Sequence, residues 1–432
     1  MPKQSAGAPD VVAPLTRDAV AAVREFNRPV AKADPSEFCR KMAKMAADAH
    51  AFYRGSVHLF CRDVADLQAP WAHDPFHDAS AHVFLDGDTH MFNFGTCRTH
   101  AGDVILDIND FDEVLPGPFL WDVRRLAASL ALAAKVSKQG RKAGLEAAGA
   151  LAVTYAKTLE KIVAGTEPDS IRIDTSTTKG PVAALLREAS RSDRAGLLTK
   201  LTDRGNAWGR FLESEDLRRV ATAAFVEPIA RFSESLAPAP ANPDFFRVLD
   251  VARKLGKGIG SMGRERFYVL IEGPRPGWSD NVILELKNSA PSALAPYVDG
   301  ASSFPNPVAR VLEGIRRLQP APPPFVGEVA MKGKHYLARE LAPWALKMEI
   351  ERVQGDHDWK ELADALGRVL ARDHARSQVG AAGRIHRLVH GHLKEFRAAV
   401  SGFADLYRAQ TQADHKAFVK ALEKDPSLGL GR

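Results

Sequence analysis

The stretch from Val83 to Leu130, VFLDGDTHMFNFGTCRTHAGDVILDINDFDEVLPGPFLWDVRRLAASL, concentrates acidic and amide side chains between short apolar runs. The polar residues are Asp86, Asp88, Asn93, Asp107, Asn109, Asp110 and Asp112. The runs VFL, MFNF and VILDI are too short for helices and indicate buried strands. Because carboxylates at the ends of buried strands are costly unless they are paired or hold a cation, the stretch predicts a divalent-metal site.

The spacing of three of these residues narrows the chemistry. Asn93 follows Asp88 by five residues, and Asp110 comes after a predicted strand pair. In kinase-like enzymes a loop aspartate orients the attacking hydroxyl, an asparagine a few residues on binds Mg²⁺, and a later aspartate holds the metal on the nucleotide phosphates. The order predicts a phosphotransferase with Asp88 as the catalytic residue and Asn93 and Asp110 as metal ligands. Further candidates are His90 beside the catalytic aspartate, Asp112 as a metal ligand, and Asp107.

This segment resembles the aminoglycoside-phosphotransferase branch of the protein-kinase-like superfamily, whose catalytic loop has the form HGDxHxxN. In that branch the metal-binding aspartate is followed twelve residues later by a helix-opening aspartate, and here Asp122 follows Asp110 by the same interval. One position departs from the pattern, since Asp86 stands where the branch has the first histidine of the loop. The resemblance implies a two-lobed α+β fold that uses ATP and Mg²⁺, and the departure leaves open what braces the loop.

A second segment carries a glycine-rich turn ahead of two strand-like runs, 266–272 and 281–287. Such a hairpin, followed by a strand with a lysine, is typical of the loop that covers nucleotide phosphates, whereas a Rossmann turn runs straight into a helix. The expected phosphate-binding residues are Gly258, Gly260, Ser261, Gly263 and Lys287. The alternative is a flexible hairpin with Lys287 snorkelling from the strand.

The region after this hairpin supplies the remaining nucleotide-site candidates. Asn306-Pro307 predicts a capped helix to Leu318 that carries Glu313, placed as a kinase C-helix would be for pairing with Lys287. Two more strand-like runs complete a small sheet. Glu340 and Leu341 are expected where a hinge to the adenine begins.

The chain of 432 residues is too long for one ordinary core, so two lobes are expected. The catalytic loop precedes the glycine-rich loop, the reverse of the usual kinase order, which predicts a circularly permuted kinase-like fold. It would combine a large helical lobe with a small antiparallel-sheet lobe. The predicted domains are a flexible lead-in at 1–34, a helical catalytic lobe at 35–243 with its catalytic and metal loops at 86–112, a nucleotide-binding sheet lobe at 244–345, and C-terminal helices at 346–432 that pack on the helical lobe.

Four blocks extend the resemblance over nearly the whole chain after residue 35. They are FYRG at 52–55, GDTHMFNFG at 87–95, LDINDFDEVLPGPFLWDVRRLAASL at 106–130 and GIGSMGRERFYVLIEG at 258–273. Together they are similar to the bacterial family catalogued as domain of unknown function 2252. Classification places that family with the protein-kinase-like superfamily, which leaves activity and substrate open. Arg54 in the first block is a candidate anchor for a phosphate or carboxylate.

Composition and charge argue against several classes of protein. The formal net charge of +6 is small for this length, so it favours anionic ligands weakly and does not make nucleic acid an expected partner. Three cysteines without CxxC spacing predict free thiols rather than a disulfide framework or a structural zinc site. The N-terminus lacks the apolar core of a signal peptide, and no apolar run reaches membrane-span length. A cytoplasmic protein without a membrane partner is expected.

Three alternatives to phosphoryl transfer stay open. A kinase-like fold that binds ATP reversed would transfer the adenylyl group instead. A nucleotide-sensing pseudokinase is favoured only by Asp86. A metallophosphatase also uses a GDxH motif, but it needs a later GNH block that the sequence lacks. The sequence does not identify the acceptor, which could be a small molecule or a protein hydroxyl.

Overall fold

The computed structural model describes residues 15, 17–78, 80–99, 101–203, 208–236, 244–275 and 277–425. The helices are α1 Ala19–Ala33, α2 Pro35–Ala46, α3 Ala49–Gly55, α4 Val57–Ala65, α5 Phe119–Val136, α6 Gly140–Val163, α7 Gly180–Ser190, α8 Arg194–Leu201, α9 Ala223–Ser235, α10 Pro307–Leu318, α11 Gly355–Ser377, α12 Ala381–Val389 and α13 Leu393–Lys424. The strands are β1 His82–Leu85, β2 Phe94–Arg98, β3 Val104–Ile108, β4 Leu115–Pro118, β5 Thr202–Asp203, β6 Arg210–Phe211, β7 Leu217–Val220, β8 Val248–Lys254, β9 Arg266–Ile271, β10 Val282–Asn288, β11 Gly327–Met331 and β12 Lys334–Glu340. The protein is therefore of mixed α+β class.

The larger hydrophobic core lies among α5, α6, α11 and α13. Every residue of α5 from Phe119 to Ala134 is buried, so this helix is the centre of the helical part. Its alanine-rich sequence permits close packing against α6. The two helices are so close that a Cβ added at Gly144 of α6 would lie 2.8 Å from Cα of Ala131. The C-terminal helices α11 and α13 pack against α5 and α6, so segments far apart in sequence contribute to the same core.

A six-stranded antiparallel sheet, in the order β11-β12-β10-β9-β8-β7, forms the second part. Successive side chains of β10 point to opposite faces. One face packs Leu284 and Leu286 with residues of α9, and the other carries Ile283. Glu285 and Lys287 share the face of Ile283, so the alternation places both charged groups on one side of the sheet.

The expected small sheet and its capped helix are confirmed. β9 and β10 match the strand-like runs 266–272 and 281–287 to within one residue. Helix α10 begins at Pro307, and the Asn306 side chain accepts the Ala309 N–H at 2.8 Å. All pairings in this sheet are antiparallel.

Two stretches differ from the domains expected from the sequence. Residues 19–33, inside the expected lead-in at 1–34, form α1, because Asp18 caps the helix and Val23 packs into a core with α2 and α13. The sheet includes β7, which precedes the expected boundary at residue 244. Helix α9 also packs on this sheet, although it too precedes that boundary. Residues 237–243, just before the expected boundary, lie outside the described residues.

The three cysteines are free thiols, as expected. Cys61 and Cys97 are buried, and Cys39 is half-buried. Among the described residues, no helix combines the length and the apolar character needed to cross a bilayer.

Candidate functional site

Two neighbouring loops carry the acidic residues expected at the site. The first joins β1 to β2 and includes 86–93, and the second joins β3 to β4 and includes 109–114. Because β2 pairs with β3 and β1 pairs with β4, the two loops emerge side by side. The Asn109 N–H donates to the Asn93 carbonyl at 2.7 Å and ties them together.

The first loop is held by Asp122, in the first turn of α5. Its carboxylate accepts the backbone N–H groups of Asp86 at 2.8 Å and Gly87 at 2.9 Å. Its carbonyl accepts the Thr89 hydroxyl at 2.7 Å. His374 Nε2 lies 3.2 Å from the same carboxylate, in a fully buried setting. Asp122, which the sequence marks only by its spacing, therefore fixes the conformation of the loop.

The conformation of the first loop requires glycine at position 87. Its φ is +82°, and a Cβ there would lie 2.5 Å from the Glu113 carbonyl oxygen. Gly87→Ala is expected to lower the free energy of unfolding by about 3 kcal/mol, the sum of left-handed strain and overpacking. The matched control is Gly102→Ala, with φ +93° but no atom within 4 Å, which carries the strain alone at about 1 kcal/mol. Urea denaturation of both variants checks this, and equal losses would contradict it.

Asp86 does not brace the loop in place of the expected histidine. Its side chain is buried, and neither of its oxygens has a hydrogen-bond partner within the described chain. Burial, together with the negative charge of Asp122, raises the pKa of Asp86 well above its usual value. The raised pKa favours the protonated carboxyl, and the bracing passes to Asp122.

Asp88 is fixed from behind by Arg125 of α5. Nε and Nη2 of Arg125 donate to Asp88 Oδ1 at 2.8 and 2.6 Å, and the guanidinium lies 4.0 Å from the centre of the Tyr53 ring. Burial raises the pKa of Asp88 to about 7, although Arg125 opposes the shift. Burial also lowers the pKa of His90 well below its usual value, so this ring is neutral at pH 7. Its Nε2 lies 3.8 Å from Asp88 Oδ2, too far for a hydrogen bond.

The predicted metal ligands meet the predicted lysine of the sheet. Lys287 Nζ lies 3.0 Å from Asp110 Oδ1 and 2.7 Å from Asp112 Oδ2. Burial opposes the ionisation of Asp110, but Lys287, Lys347 and other cations outweigh it and hold its pKa well below its usual value. Lys287 and Asp110 are thus brought together from positions 177 residues apart in sequence.

A narrow cleft of about 50 Å³ runs between these loops and the glycine-rich loop. Its walls include the candidates Asp88, His90, Asn93, Asp110, Asp112, Gly258, Gly260 and Ser261, with Arg54, Glu113 and Lys347. The Asn93 amide nitrogen donates to the Asp88 carbonyl at 2.7 Å, which leaves its side-chain oxygen as the available ligand atom. Most of the catalytic, metal and phosphate candidates therefore face one space.

The glycine-rich loop is held over this cleft by helix α2. Lys41 Nζ donates to the Gly260 carbonyl at 3.1 Å, and Lys44 Nζ donates to the Gly256 carbonyl at 2.7 Å. The Gly256 N–H donates to Glu37 Oε2 at 2.9 Å. These contacts explain why the cleft is narrow, and nothing in the sequence indicated them.

Five predicted residues other than Lys287 do not line the cleft. Glu313 pairs with Arg316 and Arg317 of its own helix, not with Lys287, because α10 turns Gly314 toward the helical part against Val114. Three others are engaged by different partners. Arg194 donates to the Glu340 carboxylate, the Leu341 N–H donates to the Ile283 carbonyl, and Arg372 donates to the buried Asp107. Gly263 packs against Val30 of α1 rather than lining the cleft.

A cluster of buried charges on the Lys287 face of the sheet was not foreseen. Glu285 is buried and accepts hydrogen bonds from Lys257 at 2.7 Å, Arg266 at 2.6 Å and Arg339 at 3.0 Å. Burial opposes its ionisation, but these three cations lower its pKa well below the usual value. Two features of the sequence could have indicated buried ion pairs. One is the glutamate inside the apolar strand VILELK, and the other is the pair Arg124-Arg125 inside an alanine- and leucine-rich helix. Charged residues in such settings are buried only when they are paired.

The cleft offers hard oxygen donors from Asp110, Asp112 and Asn93, which suit Mg²⁺. Within the described part of the chain, no group of three or more His, Cys, Asp or Glu side chains is arranged to hold a metal ion. Mg²⁺ in nucleotide enzymes needs only one or two carboxylates, because phosphate oxygens and water complete its shell. The donors therefore fit Mg²⁺ that is bound together with a phosphate, and they lend no support to a two-metal hydrolase.

Comparison with known proteins gives one match. A family model described as an uncharacterized protein conserved in bacteria (DUF2252) matches residues 33–421. No curated protein and no solved structure matches the chain.

Proposed function

This chain belongs to the bacterial DUF2252 family, and we propose that it is an ATP- and Mg²⁺-dependent phosphotransferase with a circularly permuted kinase-like fold. The observation that carries the proposal is the contact of Lys287 with Asp110 and Asp112 beside a cleft walled by Asp88 and the glycine-rich loop. In kinase-like enzymes these residue types have linked roles in phosphate binding, metal binding and hydroxyl orientation.

In the proposed reaction the acceptor hydroxyl lies beside Asp88 Oδ2. Its oxygen forms a bond to the terminal phosphorus of ATP while the bond from that phosphorus to the bridging oxygen breaks, and ADP leaves with the electron pair. The hydroxyl proton passes to Asp88. Arg125 holds the other oxygen of Asp88, so the base keeps one orientation as the proton arrives. Positioning and charge neutralisation then supply most of the rate enhancement.

Nucleotide and metal would be held from both parts of the protein. Asn93, Asp110 and Asp112 are the proposed Mg²⁺ ligands, and Lys287 with the loop from Gly258 to Gly263 is the proposed phosphate site. Bound Mg²⁺ would neutralise charge on the phosphate oxygens. Backbone N–H groups of a glycine-rich loop can approach phosphate oxygens closely because no Cβ intervenes.

The cleft of about 50 Å³ is smaller than the several hundred Å³ typical of small-molecule sites. Nucleotide binding therefore requires the glycine-rich loop to withdraw from α2. The contacts of Lys41 and Lys44 with the carbonyls of this loop are those that must lengthen or break.

The proposed base gives a pH dependence. Because only ionised Asp88 accepts a proton, and burial raises its pKa to about 7, the rate is expected to fall about tenfold per pH unit below 7 and to level off above it. A profile of phosphate release from Mg·ATP between pH 5 and 9 measures this limb. A rate that stays constant from pH 5 to 7 would remove Asp88 from the role of base.

The proposal is tested by following ATP labelled on either its terminal or its innermost phosphate. Phosphoryl transfer is expected to release label from the terminal phosphate to water or an acceptor and to yield ADP. Transfer of label from the innermost phosphate would indicate adenylyl transfer instead. Binding of Mg·ATP with no release of either label, across added acceptors, would indicate the non-catalytic alternative.

A further inference from the structure

A second cavity, of about 480 Å³, opens beside the cleft. Its walls come from the start of α3, the C-terminal end of α5 and the turn at Ile350–Arg352. One wall is Phe92, which belongs to the first loop and lies two residues after His90. Its volume falls within the range of small-molecule sites, unlike that of the cleft. A molecule in this cavity would therefore lie directly against the loop that carries Asp88.

Arg54 borders both the cavity and the cleft. Its Cζ lies 4.4 Å from the centre of the Phe92 ring, and its Nε is buried without a hydrogen-bond partner. Among the described residues, no carboxylate forms an ion pair with it; Asp48, Asp88 and Asp110 act on it only at longer range. The half-buried guanidinium thus stacks on an aromatic ring but has no carboxylate partner, and an anionic ligand would supply one.

The other polar groups of the cavity suit hydroxyls. Asp48 uses Oδ1 to accept the Ala51 N–H at 2.8 Å, which leaves Oδ2 available. Gln139 uses its oxygen to accept the Gly355 N–H at 3.0 Å, which leaves its NH₂ group as a donor. Val136 and Val353 add apolar surface. Glu351 adds a second carboxylate to the lining, so Arg54 is the position for an anionic group and the two carboxylates are acceptors for hydroxyls. This mixture matches a small polyhydroxylated molecule with one anionic group.

We propose, on the basis of the proposed phosphotransferase function, that this cavity is the acceptor site and that it takes a small hydroxyl-bearing carboxylate or phosphate. The anionic group pairs with Arg54, and a hydroxyl extends past Phe92 to Asp88. The acceptor oxygen then receives the phosphoryl group and its proton goes to Asp88, as in the reaction above.

The matched test variants are Val136→Trp and Val163→Trp. Val136 is the last residue of α5, lines the cavity and is 36% exposed; Val163 is the last residue of α6, lies outside the cavity and is 46% exposed. Val136→Trp places a bulky ring in the cavity, and Val136 is not among the residues that line the cleft. A third variant, Arg54→Gln, removes the positive charge and keeps a polar side chain.

The probes are D-glycerate, D-gluconate and glycerol phosphate, compared with neutral glycerol and glucose by ligand-detected NMR in the absence of nucleotide. At least one anion is expected to bind the wild type and Val163→Trp, and to bind Val136→Trp and Arg54→Gln at least tenfold more weakly. Mg·ATP affinity, measured separately, is expected to be the same in the wild type and Val136→Trp.

Three results would overturn the acceptor site: no binding of these anions to the wild type, equal anion binding to Val136→Trp, or neutral polyols binding as tightly as the anions. Failure of the proposed function looks different, because Mg·ATP would then not bind the wild type while the anion could still bind. Loss of Mg·ATP binding in Val136→Trp would place the nucleotide in this cavity and also overturn the proposal.

Discussion

Asp88→Asn is expected to reduce phosphate release from Mg·ATP about a thousandfold, the contribution typical of a positioned general base. The amide keeps the size of the side chain and can still contact Arg125, but it cannot accept the hydroxyl proton. Because Asp88 is not among the proposed metal and phosphate ligands, the affinity for Mg·ATP should stay within about twofold, so the loss should appear in kcat.

The matched control for this variant is Asp86→Asn, two residues earlier in the same loop. Asp86 is buried, accepts no hydrogen bond from the described chain and has a raised pKa, so an amide of nearly the same shape should replace it with little effect on the site. Phosphate release should stay close to that of the wild type. Equal rates for Asp88→Asn and the wild type, or equal losses in both variants, would show that Asp88 has no specific role.

Arg372→Met is expected to lower the free energy of unfolding by about 3–5 kcal/mol, the cost of breaking a buried ion pair from one side. Arg372 is fully buried and donates to Asp107 Oδ1 at 2.5 Å and to Asp373 Oδ1 at 2.8 Å. Burial raises the pKa of both carboxyls, and Arg372 opposes that shift. Without Arg372 their pKa values rise further, and denaturant titrations should show a larger loss of stability at pH 8 than at pH 5.

The control is Arg368→Met, one helical turn earlier in α11. Arg368 pairs with Asp364 at 3.0 Å near the surface, and such pairs contribute about 1 kcal/mol or less. A rescue variant that combines Arg372→Met with Asp107→Leu and Asp373→Leu should regain part of the lost stability, because it removes the unpaired buried carboxylates. A loss in Arg372→Met no larger than that in Arg368→Met would contradict the ion network.

Local sequence patterns predicted much of the fold. The strands β9 and β10, the capped helix α10 and the antiparallel sheet follow from apolar runs, turn residues and an Asn-Pro cap, all of which act within a few residues. The stretch 86–112 likewise identified polar residues that line one cleft, because its loops are joined by short hairpins.

The side-chain partners in the site could not be predicted, because they depend on contacts between segments far apart in sequence. Glu313 was expected to pair with Lys287 because of its place on α10, but its neighbours Arg316 and Arg317 satisfy it one helical turn away. Arg125 and Asp88 are 37 residues apart, and Lys41 and Gly260 are 219 residues apart, so no local periodicity indicates either contact. Buried charges such as Glu285 show only that a partner exists, without naming it.

Calorimetric titration with Mg·ATP tests the central claim most directly. Wild type, Lys287→Ala and Asp110→Asn are compared with Lys334→Ala, which removes a surface lysine of the same sheet. Wild type and Lys334→Ala should bind equally, and both site variants should bind at least about tenfold more weakly because each loses a charge-assisted contact. Such a result would tie residues 177 apart in sequence to one nucleotide site. No binding by the wild type, or equal binding by all four proteins, would contradict the account.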